Sequence, residues 1–494
     1  MKITLISPYS DITTLGVRLI SSYLKKHGHQ TQLILLPDPH GDEPREGACR
    51  YNEDVLDEVV SLCRESDVVG ITLMTIYFDG VVDLTKKLNS SLKAPVIWGG
   101  IHPTIRPEEC LEYADIICVG DGEEAMLELM SRMEDGDDYS GVANLCLHAN
   151  GQLINNPVRP LNPNLDIYPI PDYSREDHHI LFDNHIVPIT AELEEHFLFA
   201  IYPSAYLKKA GYQTMTSRGC PHRCTYCVND ALRSMYRKKN YFRWRSTEHV
   251  MKELLWVKEN MPFVGHILLS DDTFLSFHTS KIKEFCQKYK EKIDLPFSCL
   301  VSPPALTEEK IELLIDAGLI HLHMGMESGS KRIQELFNRK NMSNKTIIKA
   351  ATIINKYQHK ILPPHYDFII DVPYETDNER IETLRLISEI PKPFQLNLYS
   401  LIFFPGTKLH DLARHDGLIE DEKKQIYRKS FGMRERNYIN LLFTLAKKGN
   451  FPSGLLKLLT TPLIVKLFNS APMQSLFGLL WTGIKNLKKQ RPAH

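Results

Sequence analysis

Cysteine is scarce in this chain, with ten among 494 residues. That is too few for a disulfide scaffold at this length, so a disulfide-stapled secreted module is excluded and the reducing cytosol is the expected compartment. Net charge is nearly absent too. Lys and Arg total 59 against 61 Asp and Glu, a balance that gives no field for drawing in a nucleic-acid backbone, and nucleic acid is not an expected partner. The opening MKITLISPYS has an apolar run too short for a signal peptide. No internal repeat or low-complexity tract is evident. The chain is nonetheless too long for one ordinary core, and two or three domains are expected.

What is present is alternation. Over residues 1–150 strand-like runs (KITLI, TQLILL, VVGITLM, PVIWGG, IICVG) are separated by amphipathic helical patterns. This rhythm predicts a Rossmann-like, flavodoxin-like α/β domain with a parallel sheet. Ligands of such sheets sit at the carboxyl ends of the strands. Those ends carry the chemically unusual residues here: Ser7-Pro8-Tyr9, Thr72 to Thr75, Gly99 to Pro103, and Gly120 to Glu123.

Over residues 151–210 periodicity fades and prolines gather, as in PVRPLNPNLDIYPIPDYS, which reads as a linker and irregular segment. Part of it, residues 173–210, reads equally as a lid or as interdomain packing. From 211 to 417 six strand candidates follow: YQTMT, HILLSDD, FSCLVS, IHLHMGME, YDFIID and FQLNLYSLIF. Each of the first five leads into a helix-like stretch, which predicts a partial (β/α)6 barrel. Residues 418–494 read as a helical C-terminal region. Its stretch Leu467 to Ile484 is uncharged and ends in Lys485, Lys488, Lys489 and Arg491. Such a helix either packs over the barrel or lies on a membrane surface as a peripheral contact.

Residues 217–230, SRGCPHRCTYCVND, place Cys220, Cys224 and Cys227 in a C-x3-C-x2-C array after the first barrel strand. Structural zinc takes four closed ligands, commonly from two separated pairs, and no second pair exists here. His222 would have to serve from inside the same tight loop. An iron–sulfur cube held by three thiolates leaves one iron open, and an open iron is available for catalysis. The remaining cysteines, Cys49, Cys63, Cys110, Cys118, Cys146, Cys286 and Cys299, show no ligand spacing and read as small buried hydrophobes.

With Tyr226 before its last cysteine, this loop resembles that of the radical S-adenosylmethionine (SAM) superfamily. The resemblance implies a four-iron four-sulfur cluster whose free iron binds SAM and whose electron releases a 5′-deoxyadenosyl radical. Asp271 and Asp272, closing the second barrel strand, resemble the position that holds the SAM amino group; Asp271 reads alternatively as a helix cap. Gly325 to Ser330, with Glu327 and Ser328, resemble the stretch contacting the ribose and methionyl parts. Asp367 to Thr376, with Pro373, is similar to a fifth-strand motif, but Asp371 and Val372 stand where the usual form has a glycine before the proline. Pro405 to Thr407, after the sixth strand, matches as well.

The front domain resembles the cobalamin-binding domain of the B12-dependent radical SAM branch. The resemblance implies that Leu15 and Gly16 line the corrin or its nucleotide tail and that Thr72, Met74 and Thr75 sit under the ring. It sets Gly99, Gly100, His102 and Pro103 along the tail, and Gly120, Asp121, Gly122 and Glu123 near the nucleotide loop. The Asp-x-His-x-x-Gly signature of a histidine lower ligand is lacking; Asp38 to Glu43 reads as an ordinary loop. Met74 or Tyr77 either approaches the lower face of cobalt or belongs to the core, and His102 reads as a turn residue.

The branch implies methyl transfer to an unactivated carbon or to phosphorus, with one SAM recharging cobalamin and a second yielding the radical. It also implies a small-molecule or lipid-like substrate and an electron donor such as flavodoxin or ferredoxin. Cyclisation, rearrangement or oxidation without methyl transfer is the alternative. An RNA-modifying methylthiotransferase and a non-catalytic cobalamin sensor fit less of the sequence.

Overall fold

The computed structural model describes residues 1–37, 51–237, 241–428, 432–433, 437–468 and 473. The described residues fall into two units. The first takes Met1–His222, Tyr226–Asp271 and Phe403–Ser430, the second Arg223–Thr225, Asp272–Ile402 and Phe431–His494. The loop Asp38 to Glu43, Cys49, and most of the apolar stretch after Leu467 lie outside the described residues.

The first unit is built on nine strands: β1 Lys2–Ser7, β2 Gln30–Leu35, β3 Val68–Thr72, β4 Val96–Gly99, β5 Ile116–Cys118, β6 Leu145–Ala149, β7 Gln152–Asn155, β8 His178–Phe182 and β9 His185–Pro188. Their order is β7-β6-β5-β4-β3-β1-β2-β8-β9. β1 to β5 are parallel, and their central segment β5-β4-β3-β1-β2 has the flavodoxin-like order, reversing between β1 and β3. The residues explain the form. β1 is buried from Ile3 to Ser7, with Ile3, Leu5 and Ile6 as its apolar residues, as a strand covered on both faces must be. The helix Leu15–Lys26 turns Val17 and Leu24 inward and ends on Lys25 and Lys26, which favour its negative terminus. The helix Glu53–Cys63 starts where the Asn52 side chain accepts from Val55 N at 2.8 Å.

The segment read as linker contributes to this sheet. β7 extends one edge, and β8 and β9 form the other. β8 and β9 are joined by Asp183 and Asn184, with φ of 51° and 63°, between the paired residues Phe182 and His185. Positive φ at both positions is the two-residue turn that suits strand twist, and Asp and Asn tolerate it.

The first unit also holds β10 Ala210–Thr214 and β13 Val264–Leu269, paired in parallel, and the short antiparallel pair β11 Ser217–Arg218 and β12 Arg243–Trp244. The second unit holds β14 Phe297–Val301, β15 Leu319–Glu327, β16 His365–Ile370 and β17 Gln395–Ser400, each parallel to the next. The sheet order β10-β13-β14-β15-β16-β17 follows the chain, and helices between successive strands make this the half-barrel of six β/α steps. Side chains cap those helices: Thr307 accepts from Lys310 N, and Thr376 forms a reciprocal capping box with Glu379. Beyond residue 418 the described elements are helical: a π turn at Lys423–Tyr427, then Tyr438–Ala446, Ser453–Leu459 and Pro462–Phe468. Among the described residues no helix is long and apolar enough to cross a membrane.

Candidate active site

At the switch point of the first sheet, Tyr9 after β1 shares a hydrogen bond with Thr72 at the end of β3, Oη to Oγ1 2.9 Å. Thr14 begins the next helix in the left-handed conformation and donates to Ser7 Oγ at 3.0 Å. Leu15 follows half-buried, and Gly16 faces open space, since a Cβ there would meet nothing within 4 Å. Met74 is 37% exposed, whereas Tyr77 is buried.

The exits of β3 and β4 are pressed backbone to backbone. Leu73 N donates to Gly99 O at 2.8 Å and His102 N to Leu73 O at 3.1 Å. Gly100 has φ of +99°, and a Cβ on it would lie 2.9 Å from Thr72 Oγ1 and 3.0 Å from the Leu73 backbone. Only glycine fits there.

His102 and Pro103 are buried. The His102 ring packs on Phe78 and Tyr427, and its Nδ1 is 3.1 Å from Thr75 Oγ1. Burial, then the Arg106 charge, pushes its pKa down to about 4 against the pull of Glu422.

The exit of β5 is occupied by charge pairs. Asp121 accepts from Arg243 Nη2 at 2.8 Å and Arg218 Nη1 at 3.3 Å, and Glu123 pairs with Arg218 Nη2. Burial works against the charge on Asp121, yet the two guanidiniums hold its pKa below the usual carboxylate range. Gly120 has φ of +82° and passes so close to Tyr236 that a Cβ would stand 2.0 Å from its Oη, which itself accepts from Asp121 N at 2.9 Å. Gly122 packs under Ile20. Arg218, Arg243 and Tyr236 thus tie β5 to the segment bearing the first cysteine, and no spacing in the sequence marks them.

That segment turns at Gly219, with φ of +84°, where a Cβ would fall 2.3 Å from Tyr241 O. Cys220 and Cys224 are buried, Cys227 is half-buried, and none of the three is in a disulfide. Asn229 Nδ2 donates to Cys227 Sγ at 3.5 Å, and Cys227 leads into the helix Val228–Met235. In the second unit Thr225 donates from N and Oγ1 to Phe337 O and Leu336 O at 3.2 and 2.7 Å, and Asn338 Nδ2 reaches Arg223 O at 2.8 Å. These bonds bring Arg339 Nη1 to 3.6 Å from Cys224 Sγ. The same guanidinium donates from Nη2 to Gly325 O at 2.6 Å and lies 3.8 Å from Glu327 Oε1. Tyr226, which precedes Cys227 in the chain, is half-buried. The other described cysteines are buried, and desolvation pushes the Cys63 and Cys118 thiols up to about 12.

The two adjacent aspartates differ. Asp271 is fully buried and accepts from Thr216 N, Thr216 Oγ1 and Ser217 Oγ. It fixes the exit of β10, from which the cysteine loop departs. Asp272 is exposed. Glu327 ends β15 half-buried with φ of +68°. Ser328 is buried, its hydroxyl 3.3 Å from Thr383 Oγ1 and accepting from Ser330 N at 3.1 Å. Asp371 takes the positive φ, 52°, natural to the missing glycine. Its carboxylate accepts from Asn440 Nδ2 at 2.7 Å and from Ser400 Oγ, and Pro373 is exposed after it.

Asp367, on the face of β16 next to Glu327, is a residue the motif reading did not single out. Burial and then the Glu327 charge push its pKa up to about 7, and Asn397 Nδ2 donates to it at 2.7 Å. Its only sequence signal is a carboxylate within a motif that departs from its usual form.

Residues 1–130 match the B12 binding domain and residues 214–387 the radical SAM superfamily. An uncharacterized methyltransferase of Pyrococcus horikoshii is 27% identical over 365 residues, 72% of this chain and 71% of the relative. The anaerobic magnesium-protoporphyrin IX monomethyl ester cyclase of Rubrivivax gelatinosus is 25% identical over 385 residues, 75% of this chain and 61% of the cyclase. Among solved structures, the radical S-adenosylmethionine methyltransferase TsrM from Kitasatospora setae, with tryptophan substrate and a SAM analogue bound, has a TM-score of 0.65. That likeness covers 85% of this chain and 77% of TsrM at 15% identity, and is one of fold. Both domain matches occur in one chain, B12 binding ahead of radical SAM, and the protein therefore belongs to the cobalamin-dependent radical SAM enzymes, whose cofactors are a four-iron four-sulfur cluster, SAM and cobalamin.

Proposed function

We propose that this enzyme transfers a methyl group to an unactivated carbon or phosphorus centre of a small-molecule or lipid-like substrate. The observation that carries the reading is the three-thiol loop behind a B12-binding domain, in a chain similar over 72% of its length to a methyltransferase. When bound, the cluster and SAM supply one-electron cleavage of a carbon–sulfur bond, and cobalamin carries the methyl group.

The residues present fit those groups. Cys220, Cys224 and Cys227 are the cluster ligands: soft donors outside any disulfide, with Arg339 and Asn229 donating toward two of the sulfurs. Asp272 and Glu327 are the carboxylates for SAM, with Tyr226, Ser328 and Pro373 beside them; Asp271 positions the loop rather than the ligand. The bare backbone at Gly16, Gly99 and Gly100, with Thr72 and the exposed Met74, suits a flat macrocycle. Leu15 would line the macrocycle or its tail with Gly16, Thr75 would sit with Thr72 and Met74 under the ring, His102 and Pro103 would follow the tail, and the turn from Gly120 to Glu123 would lie near its nucleotide loop. An electron donor of the flavodoxin or ferredoxin type completes the system. Leu463 and Leu467, 84% and 62% exposed, support a peripheral membrane contact by the C-terminal helices.

The test is anaerobic turnover of the reconstituted enzyme with methyl-labelled SAM, a flavodoxin or ferredoxin and a panel of small-molecule and lipid-like acceptors. A product heavier by one methylene, carrying the label, with two SAM consumed supports the proposal. A product without added carbon at one SAM per turnover favours the second reading, a cyclase-type reaction, which the 25% identity to the Rubrivivax gelatinosus cyclase supports.

A further inference from the structure

β15 and β16 bring together three histidines that the radical SAM reading leaves without a role. His321 and His323 alternate onto one face of β15, and the register sets His365 beside His323. The ring centres are 4.7 Å apart for His321 and His323, 4.8 Å for His321 and His365, and 5.0 Å for His323 and His365. The ligand nitrogens all fall within 4.8 Å of one another, the one such group of metal-binding side chains found among the described residues.

These separations suit a shared ion. Two imidazoles on one tetrahedral cation, at about 2 Å per metal–nitrogen bond, stand about 5 Å apart centre to centre. His365 Nδ1 faces His321 Nε2 at 2.7 Å. A tetrahedral ion needs about 3.3 Å between ligand nitrogens, so an opening of roughly 0.6 Å admits it.

The surroundings favour neutral, oriented rings. Burial, then the neighbouring imidazoles, holds His321 far below the usual histidine range, and the same two causes push His323 down to about 4. A neutral imidazole offers the lone pair a metal requires. Gln395 hydrogen-bonds His365, the kind of outer partner that fixes a ligand ring. Opposite His321 in register, the hydroxyl of Ser298 is fully buried and makes no hydrogen bond to the protein, an uncommon condition that a ligand at this spot would relieve.

We propose that His321, His323 and His365 form a three-histidine site for a divalent cation of Zn2+ type, with the fourth position left to water. Imidazole donors suit Zn2+ and Co2+ and disfavour Mg2+ and Ca2+. The site occupies the N-terminal half of β15, with Glu327 at the opposite end of the strand.

The test uses the full chain with cluster and cobalamin reconstituted, stripped of loose metal by a chelator and titrated with Zn2+, and separately with Co2+. The expected result is one cation retained per chain beyond the cluster iron, a visible Co2+ absorption of tetrahedral nitrogen character, and a rise in Tm on adding Zn2+. In His323→Gln, at the least buried of the three positions, affinity is expected to fall at least about tenfold while iron content and cluster absorbance match the parent. His321→Asn is expected to abolish retention; should that variant not fold, His323→Gln decides alone. Absence of retained Zn2+ in the parent, or equal retention in His323→Gln with matching iron, would overturn the proposal and leave the trio a hydrogen-bonded core network.

Discussion

Arg339 Nη1 stands 3.6 Å from the Sγ of Cys224. The guanidinium is held there by Gly325 O at 2.6 Å and by Glu327 at 3.8 Å, so a fixed cation sits beside one of the three thiols. A guanidinium donating toward a ligand sulfur orients that ligand and tunes the metal it holds. Arg339→Gln is therefore expected to lower SAM cleavage about 10- to 100-fold, in the range for outer-shell partners of metal ligands. Iron content and reductive SAM cleavage, measured side by side, check this; unchanged cleavage would remove Arg339 from the site.

Each of Cys220, Cys224 and Cys227 is needed on its own, since two thiolates do not hold a cubic cluster that three corners anchor. Replacing any one by Ala is expected to abolish SAM cleavage while the far-UV circular dichroism of the anaerobic protein is preserved. Full activity in a single such variant would contradict the ligand assignment.

The cysteine loop could be read from the sequence because its ligands are local: Cys220 to Cys227 share one short turn. Arg339 could not, because it reaches Cys224 across 115 residues of chain, and only the turn built on Leu336, Phe337 and Asn338 brings it there. The parallel strands were legible for a related reason. Burial on both faces makes β3 a continuous apolar run from Val68 to Ile71 and fills β1 with Ile3, Leu5 and Ile6, whereas β8 and β9 are short, end among prolines and histidines, and hide a hairpin inside an irregular composition. Asp271 and Asp272 show the limit most directly. They are identical neighbours in sequence, and only the fold makes one a buried loop anchor and leaves the other exposed.

Gly100 links sequence to cofactor retention in the front domain. A side chain there meets Thr72 Oγ1 at 2.9 Å and the Leu73 backbone at 3.0 Å, on a backbone of φ +99° that L residues avoid. Gly100→Ala is expected to cost on the order of 2 kcal/mol of stability and to reduce the corrinoid retained after gel filtration. The cluster absorption should remain, because the cysteine loop lies elsewhere in the chain. Full corrinoid retention in Gly100→Ala would mean that the β3 and β4 exits do not contact the macrocycle.

His102 makes stability depend on pH in a stated direction. Its pKa in the folded protein, about 4, lies below the ordinary histidine value of 6.5 because burial and then Arg106 disfavour the cation. The unfolded chain therefore takes up the proton first as pH falls. Stability is unaffected by this group above about pH 6.5, declines as pH drops toward 4, and is lowered by at most on the order of 3 kcal/mol once both states are protonated. His102→Gln removes the titration while keeping a polar group that can reach Thr75. Urea unfolding at pH 7 and at pH 4.5 is expected to show a smaller loss in the variant than in the parent. Parallel losses in the two proteins would mean that the buried imidazole does not govern this window.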